Sequence, residues 1–110
     1  GLALVDVSER HLEVVSDLTA GTKVTIFLHH EDITLLLPLL QTTPSSARNR
    51  LTGKVVRVFP IGSQMKVTLD CGFPLVAIIT RRSWEELGLR VGETVIASFK
   101  ASSIHLIPRV

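Results

Sequence analysis

Between residues 45 and 53 the chain reads Ser-Ser-Ala-Arg-Asn-Arg-Leu-Thr-Gly. Small hydroxyl side chains and two guanidinium groups, Arg48 and Arg50, offer donors and positive charge but little material for a core. Such a set suits an anion faced by backbone N–H groups, hydroxyls and a guanidinium. The same residues also suit a solvated polar turn before a strand, and the stretch by itself leaves both readings open. It follows Gln41-Thr42-Thr43-Pro44, which reads as a loop.

A second place of interest emerges from an internal repeat. Residues 18–37 and 89–108 align without gaps at an offset of 71 positions. Leu18 matches Leu89, Gly21 matches Gly92, Val24 matches Val95, Ile33 matches Ile104 and Leu35 matches Leu106. One frame thus carries a strand–corner–strand unit twice. At the corner the second copy has Lys100-Ala101-Ser102-Ser103, where the first has His29-His30-Glu31-Asp32. A lysine with hydroxyls suits an oxyanion, whereas two carboxylates repel one. The first copy is therefore expected to be a degenerate twin. His29, His30, Glu31 and Asp32 also carry metal-ligating atoms, but neighbours on a strand point to opposite faces, so no metal site is expected there.

The elements that must position these residues are mostly strands. Leu2–Val7 and His11–Val15 read as a pair about a turn at Ser8-Glu9-Arg10. Val24, Ile26 and Leu28 alternate with other residues at the period of a half-buried strand, and Ile33–Leu37 forms another that Pro38 ends. Lys54–Phe59 reads as a strand with Pro60-Ile61-Gly62 as its turn. Met65, Val67 and Leu69 alternate in the next, Leu75–Thr80 is a continuous apolar run, and Val95–Phe99 and Ile104–Leu106 close the series. Ser83-Trp84-Glu85-Glu86 matches a capping box and Gly88 a C-terminal cap, which predicts one helix of about two turns near Ser83 to Leu87, with Thr80 as the alternative N-cap. Many short strands with frequent turns point to an all-β barrel or sandwich.

Composition removes several classes. With 110 residues, 45% of them hydrophobic, the chain can bury one core. A net charge of +2 and the absence of tyrosine, beside one tryptophan and four phenylalanines, argue against nucleic acid as a partner. The single cysteine, Cys71, cannot form an internal disulfide, which points to a reducing, cytoplasmic setting. The longest apolar run, Ile33–Leu40, is too short to span a membrane. The chain begins at Gly1, without an initiating methionine, as a fragment of a longer protein or a processed chain would. Neither a Ser/His/Asp nor a Cys/His arrangement is evident, and there is no Walker motif, so this chain alone is not expected to be an enzyme or to hydrolyse ATP.

Four motifs in order carry a family resemblance: Ser46-Ala47-Arg48-Asn49-Arg50-Leu51-Thr52-Gly53, then Ile79-Thr80-x-x-Ser83, then Leu87-x-Leu89-x-x-Gly92, then Phe99-Lys100-Ala101-Ser102. Over about residues 45 to 108 the chain resembles the Mop module of the TOBE family. Gly1–Leu37, with Glu31-Asp32-Ile33, is similar to the first lobe of the C-terminal regulatory domain in ATP-binding subunits of molybdate/tungstate ABC importers. Those subunits usually carry Arg-Pro before the Glu-Asp-Ile, where this chain has His29-His30.

The resemblance implies an all-β, OB-like β-barrel of Mop/TOBE type, in two lobes with one short helix. Residues 1–44 would form a degenerate first lobe and linker, and residues 45–110 a Mop-like oxyanion-binding module. The implied ligand is molybdate or tungstate. The implied oxyanion-binding residues are Ser46, Ala47, Arg48, Asn49, Thr80, Ser83, Lys100, Ala101 and Ser102. Such an anion offers only acceptors and two charges, so it needs many donors and few carboxylates. Arg48 and Lys100 would supply the charge, the Ser46–Asn49 backbone its N–H groups, and Thr80, Ser83 and Ser102 their hydroxyls. Thr80 and Ser83 suit helix capping equally well. In this family the sites lie between modules, so the implied partners are a homodimer or higher homo-oligomer, an upstream ATPase domain and a membrane permease. The implied role is cytoplasmic feedback sensing at the inner face of the membrane through the parent transporter. A free-standing molybdate-binding storage protein is the alternative.

Overall fold

A computed structural model describes residues 2–40 and 43–109; Gln41 and Thr42 of the expected loop, and both terminal residues, lie outside the described residues. In chain order the strands are β1 (Leu2–Val7), β2 (Arg10–Val15), β3 (Val24–Leu28), β4 (Thr34–Leu36), β5 (Asn49–Ile61), β6 (Gln64–Asp70), β7 (Pro74–Thr80), β8 (Thr94–Phe99) and β9 (Ile104–Pro108). The helix α1 (Arg81–Leu87) lies between β7 and β8, and single 3-10 turns span His30–Asp32, Pro38–Leu40 and Ala101–Ser103. All ladders are antiparallel. β1 pairs with β2, β3 pairs with β9, and the remaining strands form one sheet in the order β4-β8-β5-β6-β7.

The long strand β5 coils this sheet. Asn49 to Lys54 pair with β8, and Lys54 to Ile61 pair with β6, so the strand changes partners at Lys54. A bulge between Val55 and Arg57 makes the bend. There the Val55 N–H donates to the Glu93 carbonyl at 2.9 Å, and the Gly92 N–H donates to the Val55 carbonyl at 2.7 Å. Gly53 is needed just before the bend, because a Cβ on it would stand 2.6 Å from the Cys71 Sγ and 3.3 Å from the Asp70 carbonyl oxygen.

Three boundaries differ from the sequence reading. β5 begins at Asn49, not Lys54, so half of the polar stretch is strand. It also runs through Pro60 and Ile61, which pair with Met65 and Gln64, and the turn is carried by Gly62 at φ 56°. A proline fits there because β5 pairs with β6 alone at that end, leaving one edge of the strand without a ladder. The helix starts at Arg81 with Thr80 as its N-cap, so Ser83 lies inside the first turn; Gly88, left-handed at φ 63°, ends it as expected.

Both lobes feed a single buried cluster. Leu12, Val14, Ile33 and Leu35 of the first lobe pack with Leu51, Val55, Val67, Leu69, Val95, Ala97 and Phe99 of the second. β8, flanked by two strands, buries all of Val95 to Phe99. The repeat appears as a pseudo-twofold axis. Shifting each member of the pairs Thr34–Ser98, Leu35–Ala97 and Leu36–Ile96 into the other copy gives His105–Phe27, Leu106–Ile26 and Ile107–Thr25, all of which are paired. Each copy therefore lends one strand to the other, and the axis relates the two corners as equivalent 3-10 turns. The architecture is an all-β, OB-like barrel in two lobes with one short helix.

Candidate functional site

The polar stretch enters β5 through a small turn in which the Ala47 N–H donates to the Ser45 Oγ at 3.1 Å. Ser46 is exposed and Ala47 half-buried. The next two residues are tied to β2. Arg48 donates from Nε to the Glu13 Oε2 and from Nη2 to the Glu13 Oε1, each at 3.1 Å, a two-pronged grip on the carboxylate. Asn49, 4% exposed, clamps the backbone of the same residue. Its Oδ1 accepts from the Glu13 N–H and its Nδ2 donates to the Glu13 carbonyl, both at 2.8 Å. The Asn49 side chain is thus engaged within the chain, and so is the Ala47 N–H.

Lys100 is brought beside this stretch by strand register. Asn49 pairs with Phe99, so Arg48 and Lys100 lie one step beyond the same end of the β5–β8 ladder. Lys100 is extended (φ −76°, ψ 147°) and exposed, and the 3-10 turn after it closes with the Ser103 N–H donating to the Lys100 carbonyl at 3.0 Å. Ala101 is buried and Ser102 exposed. This turn packs on β2, the strand that carries Glu13. Among the described residues Lys100 has no ion pair, so one end of the barrel gathers an unneutralised ammonium, a guanidinium and two exposed serines.

Thr80 and Ser83 are elsewhere. Thr80 pairs with Gln64, and Gln64 with Ile61, at the far end of β5. At the rise of a strand, the path from Asn49 to Ile61 is roughly 40 Å. Their hydroxyls cap α1: the Thr80 Oγ1 accepts from the Ser83 N–H at 3.1 Å and donates to the Ser83 Oγ at 2.9 Å. The Arg81 N–H is taken by the Ser63 carbonyl at 2.9 Å. Of the nine residues the resemblance implies, Ser46 to Asn49 and Lys100 to Ser102 lie on the two segments at one end of the β5–β8 ladder, while Thr80 and Ser83 stand at the far end of β5.

Glu13 was not expected. Glu13 and Arg48 are 35 positions apart in sequence, and no local spacing marks the pair. The available signal is strand period: Leu12 and Val14 are buried, which turns the intervening residue the other way. The first corner, at His30–Asp32, packs on β7 instead. Phe27, His29 and His105 stack edge-on and tilted across β3 and β9, with ring centroids 5.0 to 6.2 Å apart. Among the described residues no group of three or more His, Cys, Asp or Glu side chains converges on a point. Cys71 is buried, which raises its thiol above the ordinary range, partly opposed by the charge of Arg10. No described helix is long and apolar enough to cross a membrane.

Three known proteins are similar to this chain. The chain is 45% identical over 87 residues to the molybdate/tungstate import ATP-binding protein WtpC of Pyrococcus horikoshii, a match covering 78% of this chain and 24% of that one. The chain spans about a quarter of the length of the curated relatives it matches. A crystal structure of the cytoplasmic molybdate-binding protein ModG, with molybdate bound, superposes with a TM-score of 0.78 at 28% identity, over 87% of this chain and 74% of that one. A molybdate-binding protein from Sporomusa ovata matches with a TM-score of 0.51 at 35% identity, over 54% of this chain and 90% of that one. The family model described as the TOBE domain matches residues 45–106, more than half of the chain. Its motifs, its OB-like fold and that match together make this chain a member of the TOBE domain family.

Proposed function

We propose that the chain binds a tetrahedral oxyanion, molybdate or tungstate, with residues 45–110 as the binding module and residues 1–44 as a lobe whose own corner has lost the function. The observation that carries this reading is the meeting of Arg48 and Lys100 at the end of the β5–β8 ladder, beside the exposed Ser46 and Ser102. The Lys100 ammonium, the Arg48 guanidinium that also carries the Glu13 carboxylate, and two exposed hydroxyls offer donors at one edge to a dianion that offers only acceptors. Ala47, Asn49 and Ala101 shape the backbone around it. The likeness to molybdate-binding proteins supports the choice of anion.

Thr80 and Ser83, at the opposite end, complete the site of another copy, so the working unit is a homodimer or a higher homo-oligomer. An anion held between copies stabilises their association by linkage. The likeness to an import ATP-binding protein of which this chain spans a quarter supports a place within an ABC importer's ATP-binding subunit. There the domain acts in the cytoplasm, beside an ATPase domain and a membrane permease. It senses intracellular oxyanion and restrains transport through dimer contacts, binding and not catalysing. The ModG likeness, which covers more of this chain than the importer match does, favours a second reading as a free-standing molybdate-binding protein.

Titration calorimetry with molybdate, tungstate and sulfate, followed by sedimentation with and without the preferred anion, tests the proposal. Binding of molybdate or tungstate well above sulfate, with anion-dependent association, is expected. No heat with either metal oxyanion overturns it.

A further inference from the structure

We propose that Glu13 is a built-in competitor for the anion and sets the concentration at which the site fills. This rests on the oxyanion reading above. The Glu13 carboxylate occupies two of the donors on the Arg48 fork, the same fork an oxyanion would use.

The contact is planted and not a chance meeting of surface side chains. Asn49 fixes both backbone polar groups of Glu13, the neighbouring Leu12 and Val14 are buried, and the Glu13 side chain is only 24% exposed while that of Arg48 is 58% exposed. The clamp uses the backbone of Glu13, so it holds the residue in place whatever its side chain. The anion must therefore either displace the carboxylate or bind beside it. Displacement costs the pair itself, which for an exposed bidentate ion pair lowers affinity by up to about fivefold. Binding beside it places a negative charge about 5 Å from a dianion, a penalty on the order of tenfold even in water. By either route the carboxylate weakens binding. Because β2 belongs to residues 1–44, that lobe acts on the anion module through Glu13 even though its own corner carries Glu31 and Asp32.

The test is titration calorimetry with molybdate on the chain, on Glu13→Gln and on Glu13→Ala, with thermal melts to confirm folding. Glu13→Gln keeps the shape and removes the charge, and should bind molybdate roughly three- to thirtyfold more tightly. Glu13→Ala should move in the same direction, which guards against a residual amide contact to Arg48. A residue that served only to hold the fold would weaken binding on removal. If the unaltered chain binds molybdate and neither variant binds more tightly, the competitor role is overturned and the oxyanion reading stands. Binding that appears only in the Glu13 variants supports the competitor role at its strongest. If the unaltered chain and both variants are silent, both proposals fail together.

Discussion

Asn49 is the residue whose role the structure redefines most sharply, and its replacement has a calculable cost. Its side chain, 4% exposed, closes a two-bond bridge from β5 to the backbone of Glu13 on β2. Asn49→Ala removes both bonds, each worth about 0.5–1.5 kcal/mol net. It also leaves a half-buried N–H and carbonyl that water reaches only in part, so a total loss of about 2–4 kcal/mol is expected. With a urea slope on the order of 2 kcal/mol/M, the unfolding midpoint should fall by about 1–2 M. Asn49→Asp should be no better, since it keeps the acceptor for the Glu13 N–H but turns a carboxylate oxygen toward the Glu13 carbonyl. Equilibrium urea unfolding followed by tryptophan fluorescence measures this, with Trp84 as the single reporter. A loss below about 0.5 kcal/mol for the alanine variant would refute the clamp, and with it the claim that Glu13 is held in place.

The remaining predictions concern the anion and the bends. Arg48→Ala or Lys100→Ala should weaken oxyanion binding by roughly ten- to a hundredfold, since a hydrogen bond to a charged group is worth about 1.5–3 kcal/mol. Arg50→Ala and Arg81→Ala should matter much less, the Arg81 guanidinium being spent on the Gly62 carbonyl at 2.9 Å; equal losses in calorimetry across all four would mean a diffuse basic surface. Gly53→Ala should cost about 1–3 kcal/mol by driving a methyl into the Cys71 Sγ, and Cys71→Ala in the same chain should recover part of that loss in urea unfolding. Thr80→Ala removes the bond that caps α1 and should cost about 1 kcal/mol, read from thermal melts.

Most of the fold was legible because its signals are local. Alternation marked β3, β6 and β9, Gly88 marked the helix end, and the offset of 71 positions marked the repeat. What escaped depends on partners far away in sequence. The start of β5 could not be read, because Asn49 and Arg50 look like turn residues until Phe99 and Ser98 are set opposite them. The candidate site was legible as a proposal of residue types and not as geometry. Arg48 and Lys100 are neighbours only through the β5–β8 register, and the carboxylate on Arg48 arrives from a hairpin that no motif connects to it. A serine in a cap-like sequence pointed to the wrong N-cap for a simpler reason. Ser83 alone has the glutamate three residues on that completes the box, but the cap fell to Thr80, whose extended backbone ends β7 and whose hydroxyl accepts from the Ser83 N–H.

The pseudo-twofold explains why equivalent corners have unequal chemistry. The backbone of Lys100 to Ser103 is matched by that of His29 to Asp32, down to the 3-10 turn and the hydrogen bond that closes it, Asp32 N–H to His29 carbonyl at 3.0 Å. The surroundings are not matched. β8 has two partners, β4 and β5, and β5 delivers Arg48 to the end of the strand that leads into Lys100. β3 pairs with β9 alone among the described residues, so no described strand stands to the first corner as β5 stands to the second. At the first corner the His30–Asp32 turn packs against β7 and the His29 ring against those of Phe27 and His105, so the same backbone serves as a packing corner there.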